Sequence, residues 1–250
     1  MNFYLRIVPY LWLAIALVLL GAVLSFTLDG RFSVATANMM LDKLSLDLEN
    51  NIPAWFSSVL LLTAAVGFGW MAWREGEAGG PDAWRYRLMT AVFVFMSLDE
   101  SASLHEMAMV PTRERLGLGG LLYHAWVVPA AGVLVVLAVV CWPMLRRMSR
   151  PLRLGVIAAG AIFVGGAMGV EMVGGWLAES RGDREGWAYF VISGLEETME
   201  MTGVAVLITS LAGEMRRSQP VKTAAARVEA SPEAEPAGEL IEDGVTLPAM

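Results

Sequence analysis

Apolar residues fall into six runs, at 8–28, 52–73, 88–109, 121–145, 154–176 and 188–213, separated by shorter segments that hold most of the charge. Each run is about the length that carries a helix across ~30 Å of hydrocarbon at ~1.5 Å per residue. The third and sixth runs are interrupted by acids. Between the first two, Met39, Met40, Leu41, Leu44 and Leu48 recur at near-helical spacing, with Asp42, Lys43, Asp47 and Glu49 among them. That pattern over 29–51 predicts a short amphipathic helix lying on the outer membrane surface. The first run has a basic start, as a signal peptide does. Its apolar stretch is long for one and lacks a small-x-small cleavage site before Asp29, so an uncleaved span is expected. From about 214 the chain turns Pro-, Ala- and Glu-rich and reads as a disordered acidic cytoplasmic tail over 214–250, following a transmembrane domain at 1–213. No repeat of fixed period is present.

Composition narrows the class. Of 250 residues, 56% are hydrophobic and 17% charged, against about a quarter charged in soluble domains. A secreted or cytosolic globular enzyme is excluded. The single cysteine, Cys141, excludes a disulfide framework and a cysteine-based metal site. A net charge of −7 argues against nucleic acid as a partner, although the tail supplies many of those acids. No nucleotide-binding loop occurs.

Basic residues set the orientation. With the N-terminus inside, the inner segments hold Arg6, Arg74, Arg85, Arg87, Arg146, Arg147, Arg150, Arg153, Arg216, Arg217, Lys222 and Arg227. The outer ones hold only Arg31, Lys43, Arg113, Arg115, Arg181 and Arg184. Tryptophans agree: Trp55, Trp126, Trp176 and Trp187 fall near outer span ends, and Trp70, Trp73, Trp84 and Trp142 near inner ones, as interfacial belts do. The expected fold is all-α, a six-span transmembrane helical bundle in the bacterial inner membrane with both termini cytoplasmic.

The candidate chemistry lies inside the spans. The third contains Asp99, Glu100, His105 and Glu106, the fourth starts with His124, the fifth holds Glu171, and the sixth holds Glu196, Glu197 and Glu200. These are seven carboxylates and both histidines of the chain, with no Lys or Arg in the same stretches. Counting ~1.5 Å per residue from the span ends places them together in the outer half of the bilayer. At about 100° per residue, Asp99, Ser103 and Glu106 share one face of the third span, and Ser193, Glu196, Glu200 and Gly203 one face of the sixth. Gly165-x-x-x-Gly169 in the fifth allows close helix approach.

Ionised groups in a membrane are costly and face a protein interior or a water cavity with partners. Three resolutions are open: the acids are protonated, they bind a divalent metal ion with the histidines, or they line a hydrated vestibule open to the outside. The proton or cation set is Asp99, Glu100, Glu196, Glu197 and Glu200. A metal would draw on Asp99, His105, Glu106, His124, Glu171, Glu196 and Glu200, with Asp99, Glu196 and Glu200 as the leading ligands. Taken singly, Glu106 and Glu171 also read as side chains reaching the interface, and His105 and His124 as interfacial hydrogen-bonders. The Glu-x-x-His pairs of di-metal helical bundles are absent.

Two resemblances bear on these residues. Ser101-x-x-x-His105 resembles the membrane hydrolase superfamily of alkaline ceramidases and progestin-type receptors, in which Ser, Asp and three His organise zinc. That superfamily's His-x-x-x-His is absent here, Glu196-x-x-x-Glu200 has its spacing, and it has seven spans against six. Over most of the membrane region, SerLeuAspGluSerAlaSerLeuHisGlu at 97–106 with LeuGluGluThrMetGluMetThrGly at 195–203 resembles a group of uncharacterised bacterial multi-pass inner-membrane proteins. This second resemblance implies one shared site and no known activity.

The expected protein therefore has an outward-facing carboxylate and histidine pocket that binds a metal cation or exchanges protons, as a transporter or a metal-dependent membrane enzyme does. A metal-dependent hydrolase is a variant of that reading. A scaffold or sensor is the non-enzymatic alternative, its polar cluster fixing helix packing and its tail engaging a cytoplasmic partner. The lipid bilayer is the first partner, and a homo-oligomer is compatible with six spans.

Overall fold

The structure, a computed structural model, describes residues 2–28, 35–46, 48, 50–182 and 186–218. Among these there is no strand. Nine α-helices follow in order: α1 (Asn2–Leu28), α2 (Ala35–Asp42), α3 (Ile52–Glu77), α4 (Ala83–Ala102), α5 (Glu106–Leu116), α6 (Val127–Arg147), α7 (Arg150–Val164), α8 (Glu171–Arg181) and α9 (Trp187–Arg217). A 3-10 turn at Gly120–Leu122 precedes α6, and a π-helical segment at Gly165–Val170 joins α7 to α8. The acidic tail lies outside the described residues from 219 onward.

Four stretches are long and apolar enough to cross a membrane: Arg6–Leu28, Ile52–Glu77, Val127–Arg147 and the continuous Arg150–Arg181. They correspond to the first, second, fourth and fifth apolar runs. The third and sixth runs are helical too, but their acids lower their hydropathy.

Helix α9 is the hub, packing against α1, α3, α7, the π-helical segment and α8. Its C-terminal half supplies Met201, Val204, Leu207, Ile208, Leu211 and Met215 to the core. Leu60, Leu61 and Phe68 of α3 and Leu11 and Ile15 of α1 meet them. In a bilayer, where lipid tails are as apolar as these side chains, such association rests on close packing and interhelical hydrogen bonds rather than on escape from water. Gly203 of α9 lets α7 in: a Cβ there would stand 2.8 Å from the Phe163 nitrogen and 2.9 Å from the Ala159 carbonyl oxygen. Gly67 does the same for α3, where a Cβ would lie 2.8 Å from Leu211 Cδ1.

Helices α3 and α4 form an antiparallel hairpin locked by serines. Ser58 Oγ donates to the Ser97 carbonyl (2.7 Å), Ser97 Oγ donates to the Ser58 carbonyl (2.9 Å), and Ser101 Oγ donates to Ser58 Oγ (2.8 Å). At the other end, Asp82 is buried and receives Arg85 at 2.7 Å and Arg147 at 2.9 Å. Arg85 also donates through Nε to the Val140 carbonyl at 2.9 Å, which ties α4 to α6.

Three expectations change. The third span is not one helix: it ends at Ala102, Ser103 turns left-handed at φ 49°, and α5 begins at Glu106. Asp99, Ser103 and Glu106 therefore do not share a helical face. The fourth span starts at Val127, and the region of His124 is a turn. The surface helix stops at Asp42, so the expected stripe through Leu48 is not a single face. Instead Asn51 closes that segment, donating to the carbonyls of Ser45 and Leu48 and accepting from the Ala54 nitrogen as the N-cap of α3.

Candidate functional site

The π-helical segment builds the site. Its glycines leave the turn wide, and the Glu171 nitrogen donates back five residues to the Gly166 carbonyl. Such bulges widen a helix locally and recur at functional positions. Glu171 is thereby set at the first position of α8, ten residues before Arg181. Glu196 lies nine residues after Trp187 on the antiparallel α9. At ~1.5 Å per residue the two sit about 15 and about 13.5 Å from the short link between the helices. Matching depth brings their carboxyls within hydrogen-bonding reach of each other. Glu171 thus lies ten residues from the end of α8, which continues to Arg181 past the apolar run.

Glycine permits the approach. A Cβ on Gly166 would stand 2.9 Å from both the Glu196 carbonyl oxygen and Met199 Cβ. The expected Gly165-x-x-x-Gly169 pair divides: Gly165 faces Met199, whereas Gly169 has nothing within 4 Å. Gly175, one turn along α8, makes room for His124, whose backbone nitrogen would lie 3.2 Å from an added Cβ.

His124 fills that space and is 4% exposed. Its Nδ1 stands 2.7 Å from Glu171 Oε1, an ion-pair separation without the alignment of a hydrogen bond. Its Nε2 is buried and has no hydrogen-bond partner among the described residues. Trp126 Nε1 donates to the same Glu171 oxygen at 3.1 Å. Glu171 thus gathers an imidazole, an indole N–H and a second carboxyl. Two carboxyls can share a hydrogen bond only when one proton is held between them, and the low dielectric makes an unpaired arrangement costly.

Toward the Ala102 end, Asp99 accepts from the His105 backbone nitrogen at 2.7 Å and lies 3.0 Å from His105 Nδ1. It closes the break between α4 and α5. The His105 ring then faces Trp126, with centroids 4.9 Å apart. Trp126 is wedged between the two clusters. Exposure of the side chains falls from 27% at His105 and 22% at Asp99 to 14% at Glu171 and 5% at His124.

The remaining acids lie around this centre. Glu197 and Glu200 are half-buried on α9, and Glu200 lies in a crevice with Ser57 and Phe163. Glu100 is half-buried in the last turn of α4, and Glu106 is exposed at the start of α5. Ser101 gives its hydroxyl to Ser58 while His105 turns Nδ1 to Asp99, so the Ser-x-x-x-His spacing makes no Ser–His couple of the hydrolase kind. Among the described residues, no three of His, Cys, Asp and Glu are arranged to hold a metal ion. Trp126 was not among the expected site residues. Its place two residues after His124, near the outer end of an apolar run, was the available signal.

Among the described residues, the regular structure is helical, with four helical stretches long and apolar enough to cross a membrane and a polar cluster at helix ends and kinks. The chain belongs to the family described as Domain of unknown function (DUF8692), which matches residues 10–213. No curated protein and no solved structure matches it.

Proposed function

We propose that this is a six-span membrane protein that takes up and releases a proton at Glu171, Glu196 and His124, reached from the outer side of the bacterial inner membrane, as a proton-coupled transporter does. The observation that carries the reading is the meeting of two carboxyls with a buried imidazole whose second nitrogen is unpartnered. A shared proton gives the pair a group to exchange, and the imidazole supplies a second base next to it. The fall in exposure from Asp99 and His105 to His124 supports access from the Ala102 end.

Six spans are supported by the lengths of α4 and α9, 20 and 31 residues, sufficient for ~30 Å at ~1.5 Å per residue. The two-to-one bias of Arg and Lys supports both termini being cytoplasmic. Protons are favoured over a metal because Glu171 and Glu196 turn toward each other, an arrangement that a shared proton satisfies without a metal.

Proton counting tests this. Purified protein in nanodiscs is titrated in weakly buffered solution, alongside Glu171→Gln and Glu196→Gln. The proposal expects each variant to fold and to bind about one proton fewer across the titration, since a carboxamide does not ionise in this range. Equal counts in all three proteins would contradict it and favour the scaffold reading.

A further inference from the structure

Eighteen residues beyond Glu196 along α9, or about 27 Å, Glu214 borders a cavity of about 220 Å³ between the end of α3, the start of α4 and the corner joining α6 to α7. Its polar wall carries charges of both signs: Arg74 and Arg147 against Glu75 and Glu214. Met71 and Leu152 line its apolar side. Two of the charges are fixed in place. Arg147 is held by Asp82 at 2.9 and 3.0 Å, and Glu214 accepts from Ser149 Oγ at 2.6 Å and from Arg217 at 2.8 Å. The Tyr86 phenol also borders the space. Burial pushes its pKa up, Glu75, Asp82 and Glu214 add to that, and Arg74 opposes them. It therefore remains an O–H donor within a mixed field.

The depth of this cavity is marked by indoles. Trp73, Trp84 and Trp142, on the same ends of α3, α4 and α6, are 62%, 50% and 55% exposed. Exposed tryptophans at span ends sit at the level of lipid headgroups, and basic pockets between membrane helices receive headgroup phosphates. A space of about 220 Å³ is many times the ~10–15 Å³ of this kind that one water needs, room for a phosphoethanolamine group.

We propose that this cavity binds the headgroup of a zwitterionic phospholipid of the phosphatidylethanolamine type, its phosphate toward Arg74 and Arg147 and its ammonium toward Glu75 and Glu214. A purely anionic headgroup would bring its charge against the two carboxylates. A choline headgroup has no N–H to give them. The site is independent of the Glu171 cluster, so either assignment stands or falls alone.

The test is native mass spectrometry of the full chain released from micelles holding equal amounts of phosphatidylethanolamine, phosphatidylglycerol and phosphatidylcholine with matched acyl chains. Retention of phosphatidylethanolamine above the other two is expected. Arg74→Gln and Glu75→Gln, both at a helix end away from the core, should each lower that retention roughly tenfold, the loss of one charge-assisted hydrogen bond. Equal retention of all three lipids, preference for phosphatidylglycerol, or unchanged retention in both variants would overturn the proposal. If either variant fails to fold, the selectivity of the native chain decides alone. Soluble glycerophosphoethanolamine is added as a competitor: displacement only at large excess fits a lipid ligand, and displacement at equal concentration would assign the cavity to a soluble zwitterion instead.

Discussion

Glu171 and Glu196 stand at the same height on two antiparallel helices, ten residues before the end of one and nine after the start of the next, and their carboxyls meet there. The π-helical segment sets the angle, because the Glu171 nitrogen reaches back to Gly166 rather than to the residue four before it.

The glycines of that segment should not be equivalent. Ala at 166 places a methyl 2.9 Å from the Glu196 carbonyl oxygen, whereas Ala at 169 meets nothing within 4 Å. Gly166→Ala is expected to cost about 1–3 kcal/mol through overpacking, and Gly169→Ala less than about 0.5 kcal/mol. Thermal unfolding of the two variants in micelles checks this, and equal melting points would remove Gly166 from its place in the account.

Trp126→Phe keeps the ring beside His105 and removes the N–H that donates to Glu171 at 3.1 Å. A hydrogen bond to a charged or proton-sharing acceptor contributes about 1–3 kcal/mol, and a loss in that range is expected by denaturant titration. The variant should also shift the midpoint of proton uptake while leaving its stoichiometry unchanged. A changed stoichiometry would mean that Trp126 does more than donate one bond.

Much of this was legible in the chain. Apolar runs give the helices because ~30 Å of hydrocarbon demands an uninterrupted length, and α1, α3, α6 and the α7–α8 stretch follow them closely. That acids from separate runs come together was also readable, since buried charge needs company. The particular partners were not. Asp99 of the third span was grouped with Glu196 and Glu200 as a leading ligand; the contact that the structure shows for it is with His105, six residues away, where Ser103 breaks the helix. Nothing in the local pattern of 95–109 marks Ser103 as left-handed. Glu171 also read as a side chain reaching the interface; in the structure its carboxylate meets His124 and Trp126, partners from another run that the pattern of the fifth run does not name. The close-approach glycine is Gly166 rather than Gly169, and it lies in the π-helical segment, where regular α-helical spacing does not assign faces.

The Glu214 arm predicts an acid-sensitive end of the bundle. Burial works to raise its carboxyl, but Ser149 and Arg217 outweigh it and hold the pKa below the ordinary value. A carboxyl lowered by folding adds stability above its unfolded pKa of about 4.3, and that stability is lost as pH falls through the folded value. Because the Arg217 partner is solvent-facing, the contribution is expected to stay below about 1 kcal/mol. Melting points of the native chain and Glu214→Gln should differ at neutral pH and converge in acid. A difference that persists in acid would contradict the assignment.

The central claim is a proton held between Glu171 and Glu196, and infrared spectroscopy reads it directly. At neutral pH the native protein should show the C=O stretch of a protonated carboxyl, shifted in heavy water and absent from both Glu171→Gln and Glu196→Gln. A native spectrum without that band, or a band that survives in both variants, would contradict the account.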